Sequence, residues 1–241
     1  MKIAKRLKSL FYEAFLRPLP MQDFDDYDGY WAMRGTVGPL FRHRYIASQL
    51  PPRGRLLDLG CGNGAFLEHI RKVRPGLELV GVDGSQAAVN LVRSNGIVAE
   101  VVDLSTPQIS SLGKFDYVVV MEVIEHLPYP ELLMADILKM RPSICFVTIP
   151  NLGYFINRLR LGLAGKAPLT IIQFHIREHL RCWTISDFKY WSRQLGFEVV
   201  SYCGQKQSLL QNHFPSLFAS QVIYRLRPIF NPERGNSGDR V

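Results

Sequence analysis

Short apolar runs alternate with amphipathic segments over most of the chain. From Arg55 onward, five runs have the length and composition of buried strands: 55–59, 77–82, 98–102, 115–121 and 144–149. The segments between them carry helix signals, such as Ser85 as an N-cap and Asn95-Gly96 at a helix end. Strands that alternate with helices form βαβ units, so the pattern predicts a doubly wound α/β fold with a parallel sheet.

The alternation stops after Pro150. Segment 151–183 lacks the βα pattern but carries aromatic residues that a solvated linker would lack, and we expect it to form a substrate cap. A helix then opens at Thr184 and stops at Gly196. Two strands follow, 197–203 and 219–226, with no helical pattern between them, which predicts an antiparallel pair.

The two ends of the chain differ from this pattern. Residues 3–16 place apolar side chains at helical spacing opposite several lysines, which is typical of a helix on a membrane surface and also of a helix packed on a domain. A further helix is predicted from about Val37 to Leu50. The expected organisation is an amphipathic N-terminal helix (1–20), one domain (21–230) and a frayed polar tail (231–241).

Composition narrows the class of protein. The chain has 241 residues, of which 47% are hydrophobic and 21% charged, so it is neither disordered nor fibrous. Its net charge of +8 is compatible with nucleic acid or an anionic membrane as a partner, but the sequence contains no RNA-binding motif. Four scattered cysteines without a C-x-x-C pair are typical of free thiols in the cytoplasm, and no metal site is expected. We therefore expect a cytoplasmic protein, without a nucleic-acid partner, whose contact with a membrane surface through residues 1–17 is left open.

A glycine loop follows the first predicted strand and precedes a helix. It contains Gly60, Gly62 and Gly64, an arrangement that lets a ligand approach the backbone closely. The loop also fits a loose dinucleotide-binding pattern. Asp58 lies two residues before Gly60, so its side chain is expected to face the same ligand site. A carboxylate there would repel a pyrophosphate but attract the ammonium and sulfonium groups of S-adenosylmethionine.

Two further acids end the next two strands. Asp83 could chelate both hydroxyls of a ribose, and Asp103 could accept a hydrogen bond from an adenine amino group. The alternative is that these aspartates cap helices or turns. Three acids after three successive strands, all beside a glycine loop, favour a ligand site.

The segment from about Tyr30 to Arg227 resembles the class I S-adenosylmethionine-dependent methyltransferases. The motifs that carry the resemblance are D-L-G-C-G-N-G, V-G-V-D-G-S, V-V-D-L and F-D-Y-V-V-V-M-E-V-I-E-H-L. It implies a Rossmann-like sheet of seven strands with an antiparallel last strand, and a loop with Tyr30, Trp31 and Arg34 that closes over the cofactor or packs in the core. It also implies cofactor contacts: Asp58, Gly60, Gly62 and Gly64 at the methionine end, Asp83 at the ribose, Asp103 with Leu104 at the adenine, and Glu122 beside the methyl group.

Within the class, the chain looks most like the MetW family of methionine biosynthesis. Ile149-Pro-Asn-Leu-Gly153 and Thr184-Ile-Ser-Asp-Phe188 match family elements, but the stretch Phe174–Trp183 departs from the family pattern. The ending His179-x-Arg181-x-x-Thr184 also resembles small-molecule and lipid-quinone O-methyltransferases.

Methyl transfer from a sulfonium needs alignment and a base for the acceptor's proton. The candidates are His179 in the cap, and Glu125 with His126 after the fourth strand; for each, a structural role is the alternative. His175 is a further candidate. Arg177 and Arg181 alternate with His179, so an extended strip would present all three on one side to an anionic acceptor.

These features predict methyl transfer to oxygen of a small or lipid-linked metabolite. The rival prediction is a MetW-like partner that binds the cofactor and regulates a homoserine acyltransferase. Nucleic-acid base methylation is disfavoured, because Met121-Glu-Val-Ile stands where an asparagine-proline-proline-aromatic motif would be.

Overall fold

A computed structural model describes residues 2–22, 39–168, 172, 175–205 and 209–229. Its centre is one seven-stranded sheet in the order β3-β2-β1-β4-β5-β7-β6. The strands are β1 (Gly54–Leu59), β2 (Leu77–Asp83), β3 (Val98–Val101), β4 (Tyr117–Met121), β5 (Ile144–Pro150), β6 (Phe197–Gly204) and β7 (Gln221–Pro228). Strands β1 to β5 are parallel, and β7 runs antiparallel to both β5 and β6. The predicted fold class is confirmed.

Helices cover both faces of this sheet. They are α1 (Lys2–Phe11), α2 (Phe41–Gln49), α3 (Ala65–Val73), α4 (Gln86–Ser94), α5 (Pro130–Met140), α6 (Phe155–Gly162), α7 (Ile185–Gln194), α8 (Leu209–His213) and α9 (Pro215–Phe218). Side chains of a strand alternate between the two faces. On β1, Leu56 therefore packs with α2, α3 and α4, whereas Leu57 and Leu59 pack with α5 and α7.

Two details differ from the sequence prediction. Short helices α8 and α9 lie between β6 and β7, where no helical pattern was recognised, because neither is long enough to show a period. The N-terminal helix ends at Phe11 and continues as a π-helical turn, Tyr12–Leu16. The predicted tail, 231–241, lies outside the described residues.

The cap is anchored to the sheet domain by Asn151, which is buried directly after β5. Its side-chain amide donates to the carbonyl oxygens of Ser216 (3.1 Å) and Ala219 (2.8 Å), and its oxygen accepts from the Gly153 N–H (2.9 Å). Trp183, at the far end of the cap, forms a parallel β-bridge with Asn151. Both ends of the cap thus meet at the carboxyl edge of β5.

A buried arginine joins the N-terminal segment to the cap. Arg160 on α6 is 2% exposed, and its guanidinium donates to the carbonyl oxygens of Glu13 (2.6 Å), Arg17 (3.2 Å) and Ala167 (2.8 Å). A bridge between Met21 and His175 extends the same contact. Residues 12–21 therefore pack on the cap rather than on the sheet. Over the described ranges, no helix has both the length and the hydropathy to cross a bilayer.

We predict that Arg160→Ala lowers the free energy of unfolding by about 3 kcal/mol, because three carbonyl oxygens lose a charged donor in a buried site. Chemical denaturation would measure the change. Arg93→Ala is the matched control: Arg93 is exposed, and within the described ranges its side chain makes one hydrogen bond, to the Ala99 carbonyl oxygen (2.9 Å), so we expect a loss below about 1 kcal/mol. We call this set of three hydrogen bonds the Arg160 clamp. Equal losses of unfolding free energy in the two variants would contradict its contribution to stability.

Candidate active site

The glycine loop lies at the carboxyl ends of β1 and β4, where the strand order reverses and open α/β sheets bind ligands. The N–H groups of Gly60 and Cys61 both donate to the Val82 carbonyl, at 2.7 and 3.0 Å, so the loop is tied to β2. Gly60 has φ of 75°, and a Cβ there would lie 2.3 Å from Cγ2 of Val123. The segment after β4 therefore contacts the loop and leaves no room for a side chain at position 60.

Asp83 holds the next part of the loop. Its carboxylate accepts from the N–H of Gly62 (2.8 Å) and from the N–H of Ser85 (2.9 Å). Gly62 and Gly64 both have positive φ, at 51° and 79°. Each carboxylate oxygen can accept more than one hydrogen bond, so Asp83 can shape the loop and still receive a ligand hydroxyl.

Asp58 is 0% exposed, and neither of its carboxylate oxygens has a hydrogen-bond partner among the described residues. Burial, followed by the nearby charge of Asp83, raises the pKa of Asp58 to about 8. An unpaired buried carboxylate is costly unless a cation meets it. The site thus places a carboxyl group beside the glycine loop that is protonated at neutral pH without a ligand and that a bound cation would ionise.

Arg42 on α2 is a residue of this site that the sequence analysis missed. Its positive charge opposes the upward pKa shifts of both Asp58 and Glu125, and its Nε has no partner in the part of the chain that the structure describes. Arg42 stands one turn before Ile46, on the buried face of the helix. A charged residue on the apolar face of a predicted helix was the sequence signal that could have identified Arg42.

Asp103 behaves as the turn-capping alternative predicted. Its exposed carboxylate accepts from the Ser105 N–H (2.8 Å), the Ser105 hydroxyl (2.7 Å) and the Thr106 hydroxyl (3.3 Å). The bonds from Ser105 hold the pKa of Asp103 below its usual value. Leu104 beside it is buried in the core. An adenine contact by either residue stays a prediction.

Glu122 directly follows β4 and has an unusual backbone conformation. Its φ of 55° is left-handed, which is unfavourable for a residue with a side chain. Neighbouring strands hold it there: the Thr148 hydroxyl donates to its carboxylate at 2.8 Å, and the Gln221 amide donates to its other oxygen. The chain leaves β4 at a fixed angle as a result, and the next residues reach the mouth of the site.

Glu125, His126 and His179, the three predicted catalytic residues, lie together. The Glu125 carbonyl accepts from the N–H groups of Leu180 (2.8 Å) and Arg181 (3.1 Å), which fixes the cap strip against the segment after β4. The rings of His126 and His179 meet edge to face with centroids 4.9 Å apart. The sequence could name these residues but could not show that they touch.

Burial sets the protonation of this cluster. It raises the pKa of Glu125 well above its usual range, with the charge of Glu122 adding to the effect. It lowers the pKa of His179 to about 4, with His126 contributing. At neutral pH, without a ligand, the His179 imidazole is therefore neutral.

Arg177 and Arg181 are not presented with His179 along an extended strip. Ile176–Glu178 forms a 3-10 turn, because His175 Nδ1 accepts from the Arg177 N–H (3.1 Å) and the Glu178 carboxylate accepts from the His175 N–H (2.6 Å). Both arginines are exposed, and Arg181 donates to the Pro128 carbonyl. Alternation was the wrong basis for grouping them. Tyr30, Trp31, Arg34 and Phe174 lie outside the described residues.

The family follows from comparison with known proteins. A profile of the family described as "Methyltransferase domain" matches residues 30–202. The chain belongs to that family. The methyltransferase is 29% identical over 194 residues to the ubiquinone biosynthesis O-methyltransferase of Nitrosococcus oceani, a match that covers 73% of this chain and 79% of the relative.

Solved structures agree on the fold. The methyltransferase domain of bacterial CtHen1-C has a TM-score of 0.59 at 18% identity, covering 78% of this chain and 97% of that one. An O-methyltransferase from neocarzinostatin biosynthesis, solved with S-adenosylmethionine and 2-hydroxy-5-methyl naphthoic acid, has a TM-score of 0.52 at 11% identity, covering 84% of this chain and 55% of that one. The predicted class I, S-adenosylmethionine-dependent methyltransferase is confirmed.

The residues present fit S-adenosylmethionine. The cofactor carries an ammonium and a sulfonium, and the methyltransferase buries the unpaired Asp58 carboxylate at the loop where a cation would be needed. The carboxylate of the cofactor in turn suits the positive charge of Arg42. When bound, the cofactor supplies the activated methyl group.

We predict that Asp58→Asn raises the free energy of unfolding of the ligand-free methyltransferase, most at pH 8 and above and least near pH 4. Unfolded Asp58 ionises above its ordinary pKa of 3.8, whereas the folded protein keeps the proton until about pH 8. The folded state thus binds more protons across this window, so wild-type stability falls as pH rises through it.

Thermal unfolding across this pH range would measure the effect. Asp103→Asn is the matched control with the opposite sign: its folded pKa is lowered, so the substitution should destabilise at neutral pH and lose its effect as the pH falls. Parallel curves for Asp58→Asn and wild type at every pH would contradict the buried, unpaired carboxylate.

Proposed function

We propose that this methyltransferase transfers the methyl group of S-adenosylmethionine to an oxygen atom of a small or lipid-linked metabolite. The observation that carries the proposal is the cluster of His179, His126 and Glu125, next to the segment that contacts the glycine loop. Histidine is the side chain that most often takes a proton as a general base, and an acceptor hydroxyl must lose one. The relatives named as ubiquinone biosynthesis O-methyltransferases support acceptor oxygen as the target.

In this proposal, residues at the carboxyl ends of β1 to β4 would hold the cofactor. Asp58 and the loop glycines Gly60, Gly62 and Gly64 bind the methionine end, and Arg42 pairs with its carboxylate. Asp83 receives the ribose hydroxyls, while Asp103 and Leu104 border the adenine. The support is charge complementarity at Asp58 and the neighbouring positions of β1, β2 and β3 in the sheet.

The proposed reaction is one displacement. The acceptor oxygen would take the methyl group that S-adenosylmethionine supplies, with sulfur as the leaving atom, and His179 would take the hydroxyl proton. Glu122 borders the methyl group, and its left-handed backbone directs the following segment to the mouth. The cap, 151–183, encloses the acceptor, and the exposed Arg177 and Arg181 bind an anionic part of it at the rim.

Transfer of label from methyl-labelled S-adenosylmethionine to fractionated cell extract tests the reaction. We expect label in a lipid or small-molecule fraction. His179→Ala should lower turnover by about 10²–10⁴-fold with unchanged cofactor affinity, because a general base acts on the acceptor proton in the transition state and not on the bound cofactor. His213→Ala, an exposed histidine on α8, is the control and should transfer at the wild-type rate.

Two outcomes would contradict the proposal. Label confined to protein or nucleic acid would exclude a metabolite acceptor. Cofactor binding without any transfer, together with a co-purifying homoserine acyltransferase, would favour the MetW-like regulator instead.

We further propose that the protein is cytoplasmic and touches an anionic membrane surface through residues 1–17. On α1 and the following turn, Leu7, Phe11, Tyr12 and Leu16 are about half or more exposed, at 62%, 55%, 47% and 56%. Lys5 and Lys8 are exposed on the same helix. Apolar residues beside lysines suit an interfacial helix on anionic lipid. Such a surface would bring the cap, to which this segment is joined by Arg160, near a lipid-linked acceptor.

We predict that replacing both Leu7 and Phe11 with Ser reduces flotation with anionic vesicles, because two apolar anchors are lost from an exposed face. Leu132→Ser, at an exposed apolar position on α5, is the control and should leave flotation unchanged. A variant that lacks the helix instead should lose no residue beyond Phe11, because the carbonyl oxygens of Glu13 and Arg17 accept hydrogen bonds from Arg160. Equal flotation of the double variant and wild type would exclude this surface.

A further inference from the structure

We propose that Glu125, His126 and His179 bind a divalent transition-metal ion. The carboxylate and imidazole atoms of these residues that could act as ligands all lie within 4.8 Å of one another. Metal–ligand bonds of about 2.0–2.2 Å at tetrahedral angles place two ligands ~3.4 Å apart, so the most distant pair of ligand atoms needs to close by at most about 1.5 Å. The inference rests on the proposed function and deepens it, because it states how the acceptor oxygen is activated.

The Glu125 carboxylate is the strongest sign of a missing ligand. The residue is 1% exposed, and neither carboxylate oxygen has a hydrogen-bond partner within the described part of the chain. Buried carboxylates are ordinarily paired or coordinated to a metal. Glu122 lies close enough for its charge to act on Glu125, but its own oxygens accept from Thr148 and Gln221. The positive charge that also acts on Glu125 comes from Arg42.

His126 is oriented in the way that metal-binding histidines are. Its Nδ1 lies 2.6 Å from the Glu178 carbonyl oxygen. A carbonyl oxygen only accepts, so Nδ1 carries the proton and Nε2 carries the lone pair. Histidine ligands generally donate their second ring N–H to a carbonyl or carboxylate, which fixes the ring and its tautomer.

The backbone holds the ligands together before any ion arrives. Glu125 and His126 follow β4, whereas His179 comes from the cap, and the Glu125 carbonyl joins the two segments by accepting from Leu180 and Arg181. A site prepared in this way loses little conformational entropy on binding.

The donor set indicates the class of ion. One carboxylate and two imidazoles suit Zn²⁺, Mn²⁺, Fe²⁺ or Co²⁺ better than Ca²⁺ or Mg²⁺, which prefer oxygen ligands. Three protein ligands leave at least one open position, as catalytic metal sites do. An acceptor with two neighbouring oxygen atoms could fill the open positions and be held in one orientation.

The location gives the ion a role. Val123, two residues before Glu125, contacts Gly60 of the cofactor loop, so an acceptor oxygen on the ion would lie beside the cofactor end of the site. A divalent ion lowers the pKa of a bound hydroxyl. The hydroxyl proton would leave to solvent, the oxygen would take the methyl group, and the ion would keep its oxidation state. In the metal-bound protein His179 is then a ligand, and the ion replaces it in ionising the acceptor.

Cobalt titration followed by visible absorption tests the site directly. We expect one Co²⁺ per chain, with d–d bands of a site containing nitrogen ligands, displaced by Zn²⁺. His126→Ala, His179→Ala and Glu125→Gln should each weaken Co²⁺ binding by more than the about 10–100-fold that loss of an outer-shell partner causes. His213→Ala, outside the cluster, should bind as wild type does.

Calorimetry with S-adenosylmethionine on the same samples separates the possible results. A variant that loses Co²⁺ but keeps cofactor binding is folded and supports the site. Wild type without d–d bands, or variants that bind Co²⁺ as wild type does, would overturn the metal inference. Methyl transfer that persists in a chelator would also overturn it while leaving the proposed function intact. Co²⁺ binding without label transfer to any metabolite would instead sink the proposed function.

Discussion

Burial of ionisable groups without protein partners is the constraint on which this site depends. Asp58 and Glu125 are both fully buried, and neither has a hydrogen-bond partner among the residues described. Such groups reduce the stability of the ligand-free fold, and burial shifts their pKa values upward. The fold tolerates them because hydrophobic packing on both faces of a seven-stranded sheet supplies the compensating free energy. The site is thus prepared for charge that arrives with a ligand.

The two acids come from adjacent strands of the sheet. Asp58 lies one residue before the end of β1 and Glu125 follows β4, the two strands between which the order reverses. Val123 fills the space over Gly60, so the cofactor loop and the segment leading to the cluster are in direct contact. A displacement of one of these segments therefore displaces the other, because closely packed interiors transmit strain.

The cap is held by polar contacts where the sheet domain is held by apolar ones. Asn151 binds carbonyls between α9 and β7, Arg160 binds carbonyls of the N-terminal segment, and the Glu125 carbonyl binds two N–H groups of the strip. Hydrogen bonds are directional, so they fix the position of the cap relative to the sheet. Residues 12–21, which follow the N-terminal helix, are consequently held against the cap.

The sequence by itself determined the parallel sheet, the antiparallel last pair, the glycine loop and the acids at successive strand ends, because these follow from local periodicity and from residues adjacent along the chain. It named Glu125, His126 and His179 but not their contact, since His126 and Glu178 are joined across 52 residues. Arg42 and the Arg160 clamp were equally hidden, and the turn Ile176–Glu178 removed the alternation assumed for Arg177 and Arg181. Only the tertiary structure decided these points. A side chain's partner depends on how distant segments pack, and no local pattern encodes that distance.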